Sequence, residues 1–274
     1  MKVFHTIREL DLPWGNPIGF VPTMGALHEG HLSLIRRAKE VTGYAVVSIF
    51  VNPTQFGPNE DFTRYPRPIE RDLELAQSAG ADAILVPVVD DLYGPDQVWV
   101  RVDGVTELWE GEWRPGHFEG VATVVAMLFN IVRPTDAFFG TKDLQQCAVV
   151  ESMIRGLKMP IRFHREPTYR EPDGLALSSR NRYLSEQERT TAATLPRSLR
   201  TLLLDIEAGK LLEQSLHEQR SVLRQAGFDV QYLAYVDATR LAPLASFTPS
   251  GRAIVAAKIG ATRLIDNLGH GESF

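Results

Sequence analysis

A single cysteine, Cys147, is all the thiol chemistry this chain has. One cysteine makes no intramolecular disulfide and no thiolate metal cluster, and the lack of bridges fits a reducing cytoplasm. No apolar run reaches the ~18 residues of a membrane span. Met1–Asn16 scatters charges among its Leu and Ile residues and lacks the apolar centre of a signal peptide. Basic charge is in deficit: 29 Lys and Arg against 34 Asp and Glu leave a net charge of −5, which disfavours a general grip on nucleic acid or anionic lipid. There is no Walker-type lysine loop and no G-x-G-x-x-G fingerprint, so kinase-like phosphate loops and dinucleotide binding both lose ground. Fixed-period repeats and low-complexity tracts are absent as well.

What is present is a globular composition. The 274 residues are 44% hydrophobic and 23% charged, enough for one large domain or two ordinary ones without covalent staples. Through the first two-thirds, strand-like and helix-like stretches alternate. Ile18–Thr23, Tyr44–Val51, Ala83–Val88, Asp136–Phe139 and Ile161–Tyr169 carry the short apolar, β-branched character of strands, with Val98–Val102 a weaker candidate. Leu32–Val41, Ile69–Ala79 (with Gly80 as its C-cap), Gly120–Val132 and Leu144–Gly156 read as helices. Alternation of this kind predicts an α/β fold, a mainly parallel sheet flanked by helices on both faces. After Glu171–Gly174 the pattern changes. Ser185–Glu188 forms a capping box opening a helix towards Gly209, which Pro196 should kink or split. A second helix over Leu211–Ala226 and strands over Val230–Val236, Ala253–Ile259 and Thr262–Ile265 complete a smaller α+β C-terminal domain. The expected domains are 1–174 and 175–274.

The densest chemical signal is Pro22–His31, at the carboxyl end of the first of these strands and the start of a helix. Open α/β sheets bind ligands at this edge, and a helix N-terminus offers N–H groups and partial positive charge to phosphate. Gly25 and Gly30 permit close backbone approach, and His28 and His31, three apart, can face one ligand. Two imidazoles there can donate to a phosphoryl oxygen that gains charge in a transition state. Zinc is the rival occupant of such a pair, but no third ligand stands at a persuasive interval.

The H-x-G-H element resembles the phosphate-handling motif of the nucleotidyltransferase and class I aminoacyl-tRNA synthetase superfamily. Five ordered blocks narrow this further: Pro22–His31, Val47–Phe56, Arg114–Phe118, Phe139–Gln146 and Asp173–Asn181, with Ile265–Asn267 near the end. Together they resemble the pantothenate synthetases, whose fold is Rossmann-like. That family joins pantoate to β-alanine with ATP, through pantoyl adenylate and pyrophosphate, and then releases AMP.

The resemblance implies roles for individual residues. Met24, Gly25, Ala26, Leu27, His28, Glu29, Gly30 and His31 would wall the ATP site. His31, His28 and Lys142 would be catalytic, stabilising charge at the phosphates. Gly140, Thr141, Lys142 and Asp143 form a second nucleotide-binding turn, with Asp143 suited to a ribose hydroxyl; the family usually has another residue at Thr141, which leaves it a backbone role. Leu177, Ser178, Ser179 and Arg180 resemble the mobile second signature that follows the β- and γ-phosphates. Tyr169 matches a position whose backbone meets adenine. Gln55, whose amide can bind a hydroxyl and a carboxylate, would touch pantoate and β-alanine, and Gln146 would be a second pantoate contact. Mg²⁺ is expected with ATP, its protein ligands unknown; Asp72 matches one family carboxylate near the metal, equally readable as a surface residue, while Arg71 and Leu75 replace polar neighbours. Arg114 and His117 have no evident chemistry by type and spacing. The C-terminal domain would close over the site, hinged near 174–184, in a cytoplasmic homodimer that uses neither nucleic acid nor membrane. Two rival readings remain: a nucleotidyltransferase that releases an adenylylated or cytidylylated product, and a nucleotide sensor without catalysis.

Overall fold

The computed structural model describes residues 1–58 and 60–272, so Ser273 and Phe274 of the expected C-terminal domain lie outside the described residues. The chain divides into two compact units, one comprising Met1–Thr141 with Gln145–Pro167 and the other Lys142–Leu144 with the chain from Thr168.

In chain order the first unit runs β1 (Lys2–Phe4), β2 (Gly19–Thr23), α1 (Glu29–Thr42), β3 (Ala45–Ile49), α2 (Ile69–Ser78), β4 (Ala83–Leu85), α3 (Val89–Leu92), α4 (Glu110–Trp113), α5 (His117–Val132), β5 (Asp136–Gly140), α6 (Leu144–Gly156) and β6 (Arg162–Glu166). The six strands lie in the order β1-β4-β3-β2-β5-β6, every pairing parallel. From β2 the chain builds outward through β3 and β4, then returns to place β5 on the other side of β2. That reversal makes the carboxyl ends of β2 and β5 the switch point, where such sheets leave a crevice.

Successive strand residues point to opposite faces, and both faces are covered. Phe20, Val46, Leu85 and Phe139 pack with Val125 and Phe129 of α5 and Met153 of α6. Their chain neighbours Val21, Val47, Ile84 and Phe138 pack with Ile35 and Ala38 of α1 and Ala76 of α2. Helix α5 is apolar nearly all round because it is buried nearly all round.

The second unit holds α7 (Glu186–Ala192), α8 (Thr194–Glu207), α9 (Leu212–Gln225) and an antiparallel sheet of β7 (Asp229–Asp237), β8 (Gly251–Ile259) and β9 (Thr262–Gly269) in that order. Leu195, Leu199, Leu202 and Ile206 form the stripe of α8 that packs with Leu233, Tyr235 and Val255.

Several expectations need correction. Val98–Val102 forms no strand: the Val100 N–H donates to Thr123 Oγ1 on α5 (2.9 Å), while Val100 and Val102 pack partly buried on the α5 core. The segment is anchored to a helix, so it has no ladder partner. The helix opened by Ser185 is two helices, divided at Ala193, with Pro196 in the first turn of α8, where its missing N–H costs nothing. The expected turn Gly140–Asp143 is divided: Gly140 ends β5, and Thr141–Asp143 is a 3₁₀ turn. Three residues were too few for β1 to show a period, and α3 and α4 are single turns.

Candidate active site

β2 ends at Thr23, and the chain then takes two left-handed residues, Gly25 (φ +78°) and Ala26 (φ +51°). A Cβ at Gly25 would lie 2.9 Å from Asp72 Oδ2 and 3.0 Å from Ile49 Cγ2, so glycine is required by space as well as by φ. For Ala26 the left-handed region costs roughly 1–2 kcal/mol. Asp72, buried on α2, holds it there: Oδ2 accepts the Ala26 N–H and Oδ1 the Leu27 N–H, both at 2.8 Å. Hydrogen bonds to a charged group contribute about 1.5–3 kcal/mol each, enough to offset the strain. The Gly25 N–H donates to Thr23 Oγ1 (3.1 Å), whose hydroxyl donates to the Ser48 carbonyl (2.8 Å).

This alters the expected use of the turn's amides. Those of Gly25, Ala26 and Leu27 serve protein oxygens, so the N–H groups that the end of α1 offers an anion are those of Glu29 and Gly30. His28 is the N-cap of α1, and its ring lies 4.1 Å from that of His31, centroid to centroid, tilted by 37°. The His28 N–H donates to His31 Nδ1 at 3.4 Å. In neutral His31 the ring proton therefore sits on Nε2. Among the described residues no three His, Cys, Asp or Glu group to hold a metal ion.

Gln55 closes a 3₁₀ turn, Pro53–Gln55, and is buried. Its Nε2 donates to Met24 Sδ (3.0 Å), which ties it to the β2 turn, and its Oε1 accepts from Asn52 Nδ2 (3.2 Å). Asn52 Nδ2 also donates to the Gly120 carbonyl (3.1 Å), and Asn52 Oδ1 accepts from the Tyr93 hydroxyl (2.6 Å). Burial raises the Tyr93 pKa, which keeps that hydroxyl a donor. His117, at the start of α5, donates from Nδ1 to the Gln55 carbonyl (2.8 Å). Its Nε2 accepts from Arg114 (3.0 Å), whose guanidinium also forks onto Glu60 (2.7 and 2.6 Å). Burial, then the Arg114 charge, lowers the His117 pKa from 6.5 to about 4, so the ring is neutral. The sequence left Arg114 and His117 without a role; here they hold the backbone of the Gln55 turn.

Gln146 is half-buried on the first turn of α6. Its neighbour Gln145 is structural: Oε1 accepts the Glu110 N–H (2.9 Å), and Nε2 donates to the Val105 and Leu108 carbonyls (2.8 Å each).

The remaining expected residues lie in the second unit, apart from Gly140 and Thr141. Lys142 Nζ stands 3.7 Å from Asp143 Oδ1, and the Lys142 carbonyl accepts from Asn267 Nδ2 (3.0 Å). The Tyr169 carbonyl accepts the Leu177 N–H (3.0 Å), so part of its backbone is engaged in a local pairing. Beside it, Arg170 is buried with Asp266, forked at 2.8 and 3.0 Å, and donates to the Gly174 and Asn267 carbonyls. Ser178 caps the 3₁₀ turn Ser179–Tyr183, its Oγ accepting the Arg180 N–H (3.3 Å). The set thus falls into two groups, Met24–His31 with Gln55, Gly140, Thr141 and Gln146 in the first unit, and Lys142, Asp143, Tyr169 and Leu177–Arg180 in the second. Among the described residues no helix is long and apolar enough to cross a membrane.

Comparison with known proteins gives a consistent result. The model of the pantoate-β-alanine ligase family matches residues 2–269. A pantothenate synthetase of Rubrobacter xylanophilus is 49% identical over 278 residues, covering 95% of this chain and 94% of that protein. One of Geobacter sulfurreducens is 50% identical over 264 residues, covering 94% and 92%. A crystal structure of the Thermus thermophilus pantothenate synthetase superposes with a TM-score of 0.95 at 47% identity, covering 98% and 99% of the two chains. The Francisella tularensis pantoate-β-alanine ligase, complexed with β,γ ATP and β-alanine, gives 0.83 at 33% identity, covering 100% and 99%.

Proposed function

Since the chain belongs to the pantoate-β-alanine ligase family, we propose that it activates pantoate with ATP and transfers the pantoyl group to β-alanine, giving pantothenate, AMP and pyrophosphate. The observation that carries this reading is the imidazole pair at the start of α1, with His31 Nε2 set as a donor at the carboxyl end of β2. A pantoate carboxylate oxygen attacks the α-phosphorus and the bond to the β-phosphate oxygen breaks. His28 and His31 stabilise the charge that builds on the phosphoryl oxygens, as preorganised donors. The β-alanine nitrogen then attacks the acyl carbon, its carbon–oxygen bond to AMP breaks, and the nitrogen loses a proton.

Gln55 can donate to one pantoate oxygen and accept from another. Its support by Asn52 and His117 limits its freedom, which is what substrate positioning requires. Gln146 would provide the second pantoate contact. Lys142 and the Ser178–Arg180 turn would take the β- and γ-phosphates, Asp143 the ribose, and the Tyr169 backbone adenine. The described residues do not fit a protein-built Mg²⁺ cage: no suitable cluster exists, and both Asp72 oxygens already serve amides. Mg²⁺ would enter as the counter-ion of ATP, and no step here is assigned to it. A homodimer in the cytoplasm is the assembly and place that suit the family.

The test is sequential. ATP, Mg²⁺ and pantoate should release pyrophosphate, and β-alanine added afterwards should release AMP with amide formation. Pyrophosphate without later AMP release would favour a nucleotidyltransferase, and neither product would indicate a sensor.

A further inference from the structure

Asp72 sits on α2, apart from the turn and helix that carry the imidazoles, and is 1% exposed. Each of its oxygens receives a backbone N–H at 2.8 Å, from adjacent residues of the left-handed turn. Two adjacent amides aimed at one point make an anion nest of the kind that elsewhere binds phosphate. Here a protein carboxylate fills it. The turn ends one residue before His28, so the conformation of Ala26 and Leu27 determines where α1 begins and how its two rings face.

We infer that Asp72 is a positioning residue for phosphoryl activation: its carboxylate locks the Gly25–Leu27 turn and thereby presents His28 and His31 side by side. It also occupies with negative charge the amide pair that would otherwise draw a phosphate, and so leaves the polyphosphate to the imidazole side. This rests on the adenylation reading of the same site.

Asp72→Asn preserves size but sets an NH₂ against one of the two amide protons. The expected result is a roughly 10–100-fold fall in kcat for pyrophosphate release, since displacements near 1 Å cost up to about 100-fold. The KM for ATP should stay within about threefold and the half-saturating Mg²⁺ concentration should not change, because ligand contacts are intact. Adding Ala26→Gly to Asp72→Asn should recover part of the lost kcat, because glycine takes positive φ unaided. A shifted Mg²⁺ requirement with rescue by excess Mg²⁺ would make Asp72 a metal ligand and overturn the inference. So would a folded variant with unchanged kcat, or no recovery in the double variant.

If Asp72→Asn does not fold, amide exchange on the wild-type chain decides. The Ala26 and Leu27 amides should stay protected when ATP and Mg²⁺ are added, and acceleration would overturn the inference. A wild-type chain that releases no pyrophosphate would defeat the adenylation reading instead, while exchange would still report whether Asp72 holds the turn.

Discussion

Gly120→Ala tests whether the Gln55 turn is held by close backbone packing. Gly120 lies in the first turn of α5, and a Cβ there would stand 2.5 Å from the Thr54 carbonyl oxygen, 2.7 Å from its carbon and 2.8 Å from the Gln55 nitrogen. All three atoms are backbone, so no flexible side chain can yield. Restoring ordinary contact at 3.4 Å requires a shift of 3.4 − 2.5 = 0.9 Å between α5 and the turn. Overpacking of this sort costs about 1–3 kcal/mol. Alanine regains about 0.8–1.0 kcal/mol over glycine in a helix. The net loss of stability is then roughly 0–2 kcal/mol, too small to abolish folding. Activity should respond more strongly. Moving the turn stretches the His117–Gln55 bond, now 2.8 Å, and draws the Gln55 amide from Met24. A misplacement near 1 Å can cost about 100-fold. The assay is kcat/KM for pantoate, read as pyrophosphate release, with Gly156→Ala as control, because nothing lies within 4 Å of a Cβ at Gly156. Wild-type kcat/KM in folded Gly120→Ala, or an equal loss in Gly156→Ala, would refute the reasoning.

Three other outcomes are expected. His31→Ala should lower single-turnover adenylation by about two to three decades, the cost of one preorganised donor, while circular dichroism stays that of the wild type; an unchanged rate would remove His31 from the chemistry. His117 is kept neutral by burial and then by Arg114, its pKa lowered from 6.5 to about 4. The unfolded chain therefore binds the extra proton first, so this contribution is complete above pH 6.5 and is lost as pH falls towards 4. It amounts to on the order of 3 kcal/mol. Urea unfolding at several pH values should show a shallower acid loss in His117→Gln, and parallel curves would contradict the assignment. In the second unit, Asp266→Leu leaves Arg170 buried without its carboxylate and should cost about 3–5 kcal/mol, whereas Arg170→Met with Asp266→Leu should recover much of it. Equal unfolding midpoints for the single and double variants would show that the pair is not a coupled unit.

The layout of the elements was legible because it rests on local periodicity. The helix over Leu144–Gly156 and the strand over Asp136–Phe139 announce themselves by residue spacing, and the sheet follows from their alternation. Val98–Val102 misled because β-branched residues favour extended backbone whether or not a neighbouring strand exists. The nearness of His28 and His31 was legible too, since three residues apart at a helix start brings both to one end of α1. The supports of Gln55 were not: Asn52 lies just past the strand-like run Tyr44–Val51, Gly120 opens the apolar stretch read as a helix, and Arg114 and His117 have no evident chemistry by type and spacing.

From the sequence alone come the parallel α/β layout, the imidazole pair on a helix start, the family resemblance and the exclusion of a disulfide framework. Each depends on residue type and near spacing. Only the tertiary structure decided that Asp72 spends its oxygens on two amides 45 and 46 residues away, and that His117 clamps the carbonyl of Gln55 across 62 residues. Hydrogen bonds of such separation depend on how helices cross the sheet, and no local pattern encodes that crossing.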